Sequence, residues 1–223
     1  MLRTFLHSLS NITVGLALLA GLIGLVRYRQ LPPSLRTVAL LAIFDVLMEL
    51  AVLSLSSLHI PNLFLAPLAL VGEIVFAALA YRRALQSSAF NRVLPWLLGL
   101  FCLYALFESL LWLSATRYLV PLQLIGNLLQ LSLAGLYFQK LLNELRVERL
   151  QADPFFWLSV ALAVYGLGNL FISLSSNYLL THCSLPVQAI IFLGVRNGFN
   201  ILLYLAYCLA QCLRPPQAKS LSA

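Results

Sequence analysis

The sequence predicts an all-α integral membrane protein, built as a single bundle of seven transmembrane helices. Hydrophobic residues make up 61% of the 223-residue chain and charged residues only 9%. The apolar residues form runs of about 20 residues, the length that an α-helix needs to cross a bilayer. These runs lack the alternation of a transmembrane β-strand, and only helices and closed barrels can span a bilayer.

The spans are predicted at 11–26, 35–58, 62–82, 93–115, 118–140, 155–177 and 186–212. The first has no small-residue cleavage site with a mature domain behind it, so we interpret it as a retained helix and not a signal peptide. The stretches between spans hold about a dozen residues or fewer, so residues 1–223 form one domain. Residues 139–151 should extend the fifth helix beyond the membrane, and Asp153 with Pro154 should cap the sixth.

The positive charges predict the orientation. Arg3 and Arg117 lie in one set of loops, and Arg196 lies inside a span. The other set of loops holds the remaining eleven of the fourteen Lys and Arg residues: Arg27, Arg29, Arg36, Arg82, Arg83, Arg92, Lys140, Arg146, Arg149, Arg214 and Lys219. By the positive-inside rule these eleven are cytoplasmic, which places the N-terminus outside and the C-terminus in the cytoplasm.

This charge asymmetry also bears on location and partners. It accounts for the net charge of +7, and the chain has no basic patch with interleaved aromatic residues, so we predict no nucleic-acid partner. The lipid bilayer is the predicted environment, and a multi-pass protein of the bacterial cell (inner) membrane is the predicted localisation.

Four carboxylic acids lie inside the predicted spans, and Arg196 is the intramembrane cation that could meet them. The acids are Asp45, Glu49, Glu73 and Glu108. Because a charge near the bilayer centre costs at least about 2.5–3.5 kcal/mol, such residues should face the bundle interior and are functional candidates. A fully ionised set would carry a net charge of −3, so Arg196 should pair with Glu49 or Glu73, and at least one other acid should be protonated at neutral pH.

Polar residues also recur at helical spacing on the last three spans, for example Gln123, Asn127 and Gln130 on the fifth. Conversion of residue number to depth places seven polar residues from six helices between the midplane and the outer third of the membrane. They form the predicted ligand-binding site, a pocket open to the outside: Glu49, Glu73, Glu108, Asn127, Asn169, Arg196 and Asn200. The alternative is a structural network, since such amides join helices through hydrogen bonds of about 0.6 kcal/mol each.

Several kinds of site are not predicted. The chain has no G-x-S-x-G, H-E-x-x-H or P-loop motif, and its three histidines and four cysteines form no metal-ligand set or disulfide framework. We therefore predict no catalytic residues, metal or cofactor. The small-residue pairs Ala17/Gly21 and Gly194/Gly198 favour packing within one bundle, with a homo-oligomer face as the alternative.

Several motifs, most of them on the last two helices, resemble a family of small seven-helix membrane proteins that are common in Bacteroidetes. They are Asp153–Trp157, Tyr165-x-x-Gly168-Asn169-Leu170-Phe171, Asn177, Asn197-x-x-Asn200-Ile201-Leu202-Leu203-Tyr204, and Asn62–Leu65 with Glu73. That family has no established activity. Its members often accompany two-component sensor kinases or resemble their membrane part, so the resemblance implies a sensory role.

The chain departs from the family pattern at two places. Ala66-Pro67 stands where an aromatic residue and a His are expected, and Arg196 stands where a His is expected before Asn197. A role carried by those histidines in the family would be altered here.

The leading hypothesis is a receptor-like or sensory protein that binds a small ligand, a lipid headgroup or protons. The ten-residue tail after Leu213 predicts that signalling needs a separate cytoplasmic partner, such as a histidine kinase. A small-solute or proton-coupled transporter is the first alternative, and it would require the inner half to open as well. An intramembrane lipid-modifying enzyme, with Glu49, Glu73 or Glu108 as the acid–base group, is the second.

Overall fold

A computed structural model describes residues 2–60, 62, 64–111, 120–144 and 150–213. In these residues all regular structure is helical, and seven helices are long and apolar enough to cross a membrane. The predicted fold class and helix number are thus confirmed. The helices are α1 (Leu2–Arg27), α2 (Pro33–Ser57), α3 (Leu65–Leu85), α4 (Ser88–Leu111), α5 (Val120–Glu144), α6 (Pro154–His182) and α7 (Leu185–Cys212).

Some helix ends differ from the prediction. Helix α1 begins at Leu2 and not at residue 11. The polar residues among 2–10 lower the hydropathy on which the prediction relied, but none of them breaks a helix. Helix α5 ends at Glu144; residues 145–149 of the predicted extension lie outside the described residues, and Leu150–Ala152 form a 3₁₀ turn. The predicted cap of α6 is confirmed: Asp153 Oδ1 accepts a hydrogen bond of 3.0 Å from the Phe155 N–H, and Pro154 begins the helix.

Five of the helices form a closed ring around the centre of the bundle. Along the ring, α2 packs on α3, α3 on α5, α5 on α6, α6 on α7, and α7 on α2. Helices α1 and α4 lie outside it. Helix α1 packs against α2 and α7, and α4 packs mainly against α3 with a smaller contact to α5. The inward faces of the ring helices therefore meet one another, whereas the inward face of α4 meets the outside of the ring.

The two ends of the bundle differ in charge. We call the end that holds the C-termini of α1, α3, α5 and α7 the basic end, and the other the cavity end. At the basic end three cations join helix ends by donating to backbone carbonyls. Arg27 donates to Gln211 O at 2.8 Å, Arg83 to Pro33 O at 2.7 Å, and Lys140 to Ala84 O at 2.6 Å. Two of these acceptors lie in the last turn of a helix, where positive charge is favoured.

The described cations of the predicted cytoplasmic loops all lie at the basic end, as the alternation of the helices requires. Four further cations of these loops lie outside the described residues: Arg146, Arg149, Arg214 and Lys219. So does Arg117 of the opposite set of loops. The orientation of the bundle in the membrane stays a prediction.

The half of the bundle next to the basic end has an aromatic core. The rings of Tyr81, Tyr137 and Phe155 lie 5.7–6.0 Å apart, centroid to centroid. The Tyr81 hydroxyl is hydrogen-bonded to the Ser159 hydroxyl at 2.7 Å. Tyr207 belongs to the same buried cluster and is 0% exposed, as is Tyr81. We call Tyr81, Tyr137, Phe155 and Tyr207 the aromatic plug.

Two glycines allow the ring helices to approach closely. A Cβ atom on Gly72 would lie 2.1 Å from the ring of Phe44 on α2, and one on Gly168 would lie 2.1 Å from the ring of Phe199 on α7. Each glycine therefore receives an aromatic ring from the neighbouring helix. The next residues in the sequence are Glu73 and Asn169, so the same turns that pack the helices also present polar groups.

The small-residue pairs pack largely within the bundle. Ala17 is 1% exposed, and a Cβ on Gly21 would meet Val46 of α2 at 2.8 Å. A Cβ on Gly194 would meet Leu6 of α1 at 3.2 Å, whereas one on Gly198 would have no described atom within 4 Å. The Ala17/Gly21 pair is thus a contact between α1 and α2.

Candidate ligand-binding site

The ring helices enclose a cavity of about 350 Å³, and each of the five contributes to its lining. The lining runs from Asn62 and Phe192, near the cavity end, to Tyr204. Tyr204 lies eight residues before the end of α7, which is about 12 Å from the basic end along the helix. The volume falls in the range of pockets that bind small molecules, which are about 300–1,000 Å³.

Six of the seven residues predicted to form the site line this cavity. They are Glu49, Glu73, Asn127, Asn169, Arg196 and Asn200. They come from all five ring helices, so the common depth inferred from residue numbers corresponds to proximity in space. Their role in ligand binding stays a prediction.

Glu108 is not among the residues that line the cavity, which differs from the prediction. It is 6% exposed and interacts with Tyr104, one turn nearer the basic end on α4. The physical reason is the position of α4 outside the ring: its buried face packs on α3 and α5, where Phe101 and Ala105 meet Leu70 and Leu122.

Sequence reasoning left several polar lining residues out of the site. Most of them lie one helical turn from a residue that was included: Asp45 before Glu49, Gln123 before Asn127, Tyr165 before Asn169, and Tyr204 after Asn200. A wider depth window would have included them. Asn62 and Asn197 also line the cavity, and neither belongs to a stripe of polar residues at regular spacing.

Helix α7 changes its geometry beside the cavity. Ile190–Val195 are π-helical, and regular α-helix resumes at Arg196. A π turn holds more residues than an α turn, so it rotates the rest of the helix about its axis, and such turns are frequent at functional sites. Phe192 and Leu193 from the π segment line the cavity together with Arg196 and Asn197.

The charged groups of the cavity lie close together. Arg196 interacts electrostatically with both Glu49 and Glu73, the two acids predicted as its partners. Asp45, one turn from Glu49 on α2, interacts with both of these carboxyl groups as a like charge. One guanidinium thus interacts with two carboxyls and shares the cavity with a third.

Two tyrosines accompany the acids. The Tyr204 hydroxyl lies 3.4 Å from Glu49 Oε1, and the Tyr165 hydroxyl lies 3.5 Å from Glu73 Oε2. These contacts are longer than the usual 2.5–3.0 Å of a bond between oxygens and are therefore weak. Asn169 is held differently: its Nδ2 donates to the Tyr165 carbonyl of its own helix at 3.0 Å.

Several buried polar atoms in and beside the cavity have no hydrogen-bond partner among the described residues. In the lining these are Glu73 Oε1 and Asn127 Nδ2, on residues that are 9% and 3% exposed. Next to the cavity, the amide of the fully buried Gln130 lies beside the Glu73 carboxyl and interacts with it, without a hydrogen bond of standard geometry. Buried polar groups in proteins are nearly always hydrogen-bonded, so the two lining atoms call for partners such as water or a bound molecule.

Comparison of the chain with protein-family models, curated proteins and solved structures found no match. The resemblance noted from the sequence motifs stays untested, and the chemistry of the cavity is the main basis for a functional proposal.

Proposed function

We propose that the protein is a receptor-like membrane protein that binds a small ligand in this cavity and signals through a separate cytoplasmic partner. The observation that carries the proposal is the asymmetry of the bundle interior. Polar groups and free volume extend from the cavity end down to Tyr204, about 12 Å from the basic end along α7, and a packed aromatic core fills the space beyond.

The aromatic plug favours a receptor over a transporter. The Tyr204 ring at the floor of the cavity lies 6.0 Å from the Tyr207 ring, and Tyr207 and Tyr81 are completely buried. A ligand that entered from the cavity end would meet these rings before the basic end. A transporter would have to open this packed aromatic core in a second conformation, whereas a receptor needs access from one side only.

Helix α7 is the element best placed to carry a signal. It contributes Arg196 and Asn200 to the cavity and continues to the basic end, where the Gln211 carbonyl accepts the hydrogen bond from Arg27. A ligand that changed the pairing of Arg196 would act on a helix whose far end lies at the predicted cytoplasmic face. The family resemblance supports a histidine kinase as the partner.

Access to the cavity can be tested with a cysteine at Met48, a lining residue on α2. In a background with the four native cysteines replaced by alanine, Met48→Cys should react with an impermeant thiol reagent from the side of the cavity end only. Two exposed positions serve as controls for reagent access: Ser57→Cys at the cavity end and Ser87→Cys at the basic end. Right-side-out and inverted vesicles present the two ends to the reagent in turn. Labelling of Met48→Cys from both sides would indicate a transporter, and labelling from neither side would refute the binding site.

A further inference from the structure

We propose that the ligand is a small organic cation, held by the carboxyl groups of Asp45, Glu49 and Glu73. This inference rests on the proposed function, since it names the class of ligand that the same cavity would bind. It is supported by the charge, the unpartnered atoms, the size and the aromatic rings of the cavity.

The charge of the lining is the first argument. Asp45, Glu49 and Glu73 are carboxylic acids, and Arg196 is the cation that lines the same cavity. Arg196 already interacts with two of the acids. When the three acids are ionised, its single positive charge balances only one of their three negative charges. Unbalanced charge is costly in a low dielectric. A cationic ligand supplies the missing charge, whereas an anionic ligand would add to the excess.

The second argument is independent of the charge count. Glu73 Oε1 is buried in the lining and has no hydrogen bond of standard geometry among the described residues, although the Gln130 amide lies beside the carboxyl; when ionised, this oxygen can only accept a hydrogen bond. Asn127 Nδ2, also buried and without a described partner, can only donate. A molecule with a cationic group and a nearby oxygen acceptor would satisfy both atoms.

Size favours an organic cation over a metal ion. The cavity of about 350 Å³ is an order of magnitude larger than the share of one water molecule in the liquid, about 30 Å³. Among the described residues, no three His, Cys, Asp or Glu side chains come together at the spacing of metal ligands. Tyr165, Tyr204 and Phe192 add aromatic rings to the lining, and aromatic faces attract organic ammonium groups.

The test compares two thiol reagents that differ in charge. Met48→Cys, in the cysteine-free background, is treated with the trimethylammonium-ethyl and the sulfonatoethyl methanethiosulfonates, and the ratio of their reaction rates is divided by the same ratio at Ser57→Cys. We expect the cationic reagent to be favoured at Met48→Cys by about tenfold or more, because a cleft of one charge sign concentrates ions of the opposite sign. A normalised ratio of one, or a preference for the anionic reagent, would overturn the proposal.

Neutral variants assign the effect to the acids of the cavity. Glu73→Gln and, separately, Glu49→Gln should each lower the normalised ratio severalfold. Glu108→Gln is the matched control: it neutralises a buried acid outside the cavity, and it should leave the ratio unchanged. An equal fall in all three variants would also contradict the proposal. If neither reagent reached Met48→Cys while Ser57→Cys reacted, the proposed binding site itself would fail; reaction without charge preference would refute the cation alone.

Discussion

Arg196 occupies the position on which the charge balance of the cavity depends. It begins the regular part of α7 directly after the π-helical segment, and it interacts with Glu49 on α2 and Glu73 on α3. It therefore links three of the five ring helices. Loss of one partner of a fully buried ion pair costs about 3–5 kcal/mol, because the other partner stays as an uncompensated charge. Arg196 is half-buried, so the open cavity screens part of this cost.

We expect Arg196→Leu to lower the melting temperature strongly. Combination with Glu73→Gln or Glu49→Gln should restore much of the loss for the acid that is the main partner, because the double variant no longer holds an unpaired charge. Melting curves of the purified single and double variants in detergent or nanodiscs would measure this.

Arg196→Leu with Glu108→Gln serves as the control, and its two effects should add, since Glu108 lies outside the cavity. If the doubles with Glu73 and Glu49 were additive as well, neither acid would be the partner of Arg196. In that case Arg196 would be assigned to an anionic ligand or a lipid phosphate.

For single residues, the sequence indicated which polar side chains are buried and at what depth, but not which of them face the same cavity. The cost of burying charge indicated that Glu49, Glu73 and Arg196 face the interior, and all three line the cavity. Glu108 met the same criteria of burial and depth. Its separation from the others depends on which helices surround the centre, and nothing in the sequence of α4 specifies that α4 lies outside the ring.

Among the helices, close packing and the placement of polar groups are linked at Gly168. The ring of Phe199 fills the space beside this glycine, and the next residue, Asn169, lines the cavity. A side chain at residue 168 would push the Phe199 ring, and with it the part of α7 that carries Asn200. Overpacking of this kind costs about 1–3 kcal/mol.

Gly168→Ala should therefore lower the melting temperature. Gly135→Ala provides the comparison, since a Cβ on this exposed residue of α5 would have no described neighbour within 4 Å. There the higher helix propensity of alanine should leave stability unchanged or raise it by up to about 1 kcal/mol. The double variant Gly168→Ala/Phe199→Leu, with a smaller side chain facing residue 168, should recover part of the loss. Equal melting temperatures for Gly168→Ala and Gly135→Ala would contradict the contact with Phe199.

The helices themselves were the most predictable part of the fold, because long apolar runs have few alternatives in a membrane. The π-helical segment Ile190–Val195 was not predicted, since its residues are ordinary apolar ones and a period of 3.6 was assumed throughout. Asn197 was overlooked for a separate reason: it follows Arg196 directly and so lies beside the stripe of Arg196 and Asn200, yet the cavity is wide enough on this side for Asn197 to line it as well.

For the whole molecule, the two ends of the bundle have different physical characters. The basic end is held by Arg27, Arg83 and Lys140, each bonded to the backbone of a neighbouring helix, and it adjoins the aromatic plug. The other end contains the cavity. A closely packed half next to an open, polar half is consistent with the proposed receptor, in which a ligand binds at one end and the change passes to the other.

The orientation prediction can be tested with two exposed serines, one at each end of the bundle. Ser87 lies between α3 and α4 at the basic end, and Ser184 lies between α6 and α7 at the cavity end. In intact cells with the cysteine-free background, an impermeant thiol reagent should label Ser184→Cys and spare Ser87→Cys, because the basic loops are retained in the cytoplasm. Permeabilised cells, in which both should react, control for accessibility. The reverse pattern would place the cavity on the cytoplasmic side, so that a cytoplasmic metabolite, and not an external signal, would be the molecule that reaches Glu49 and Glu73.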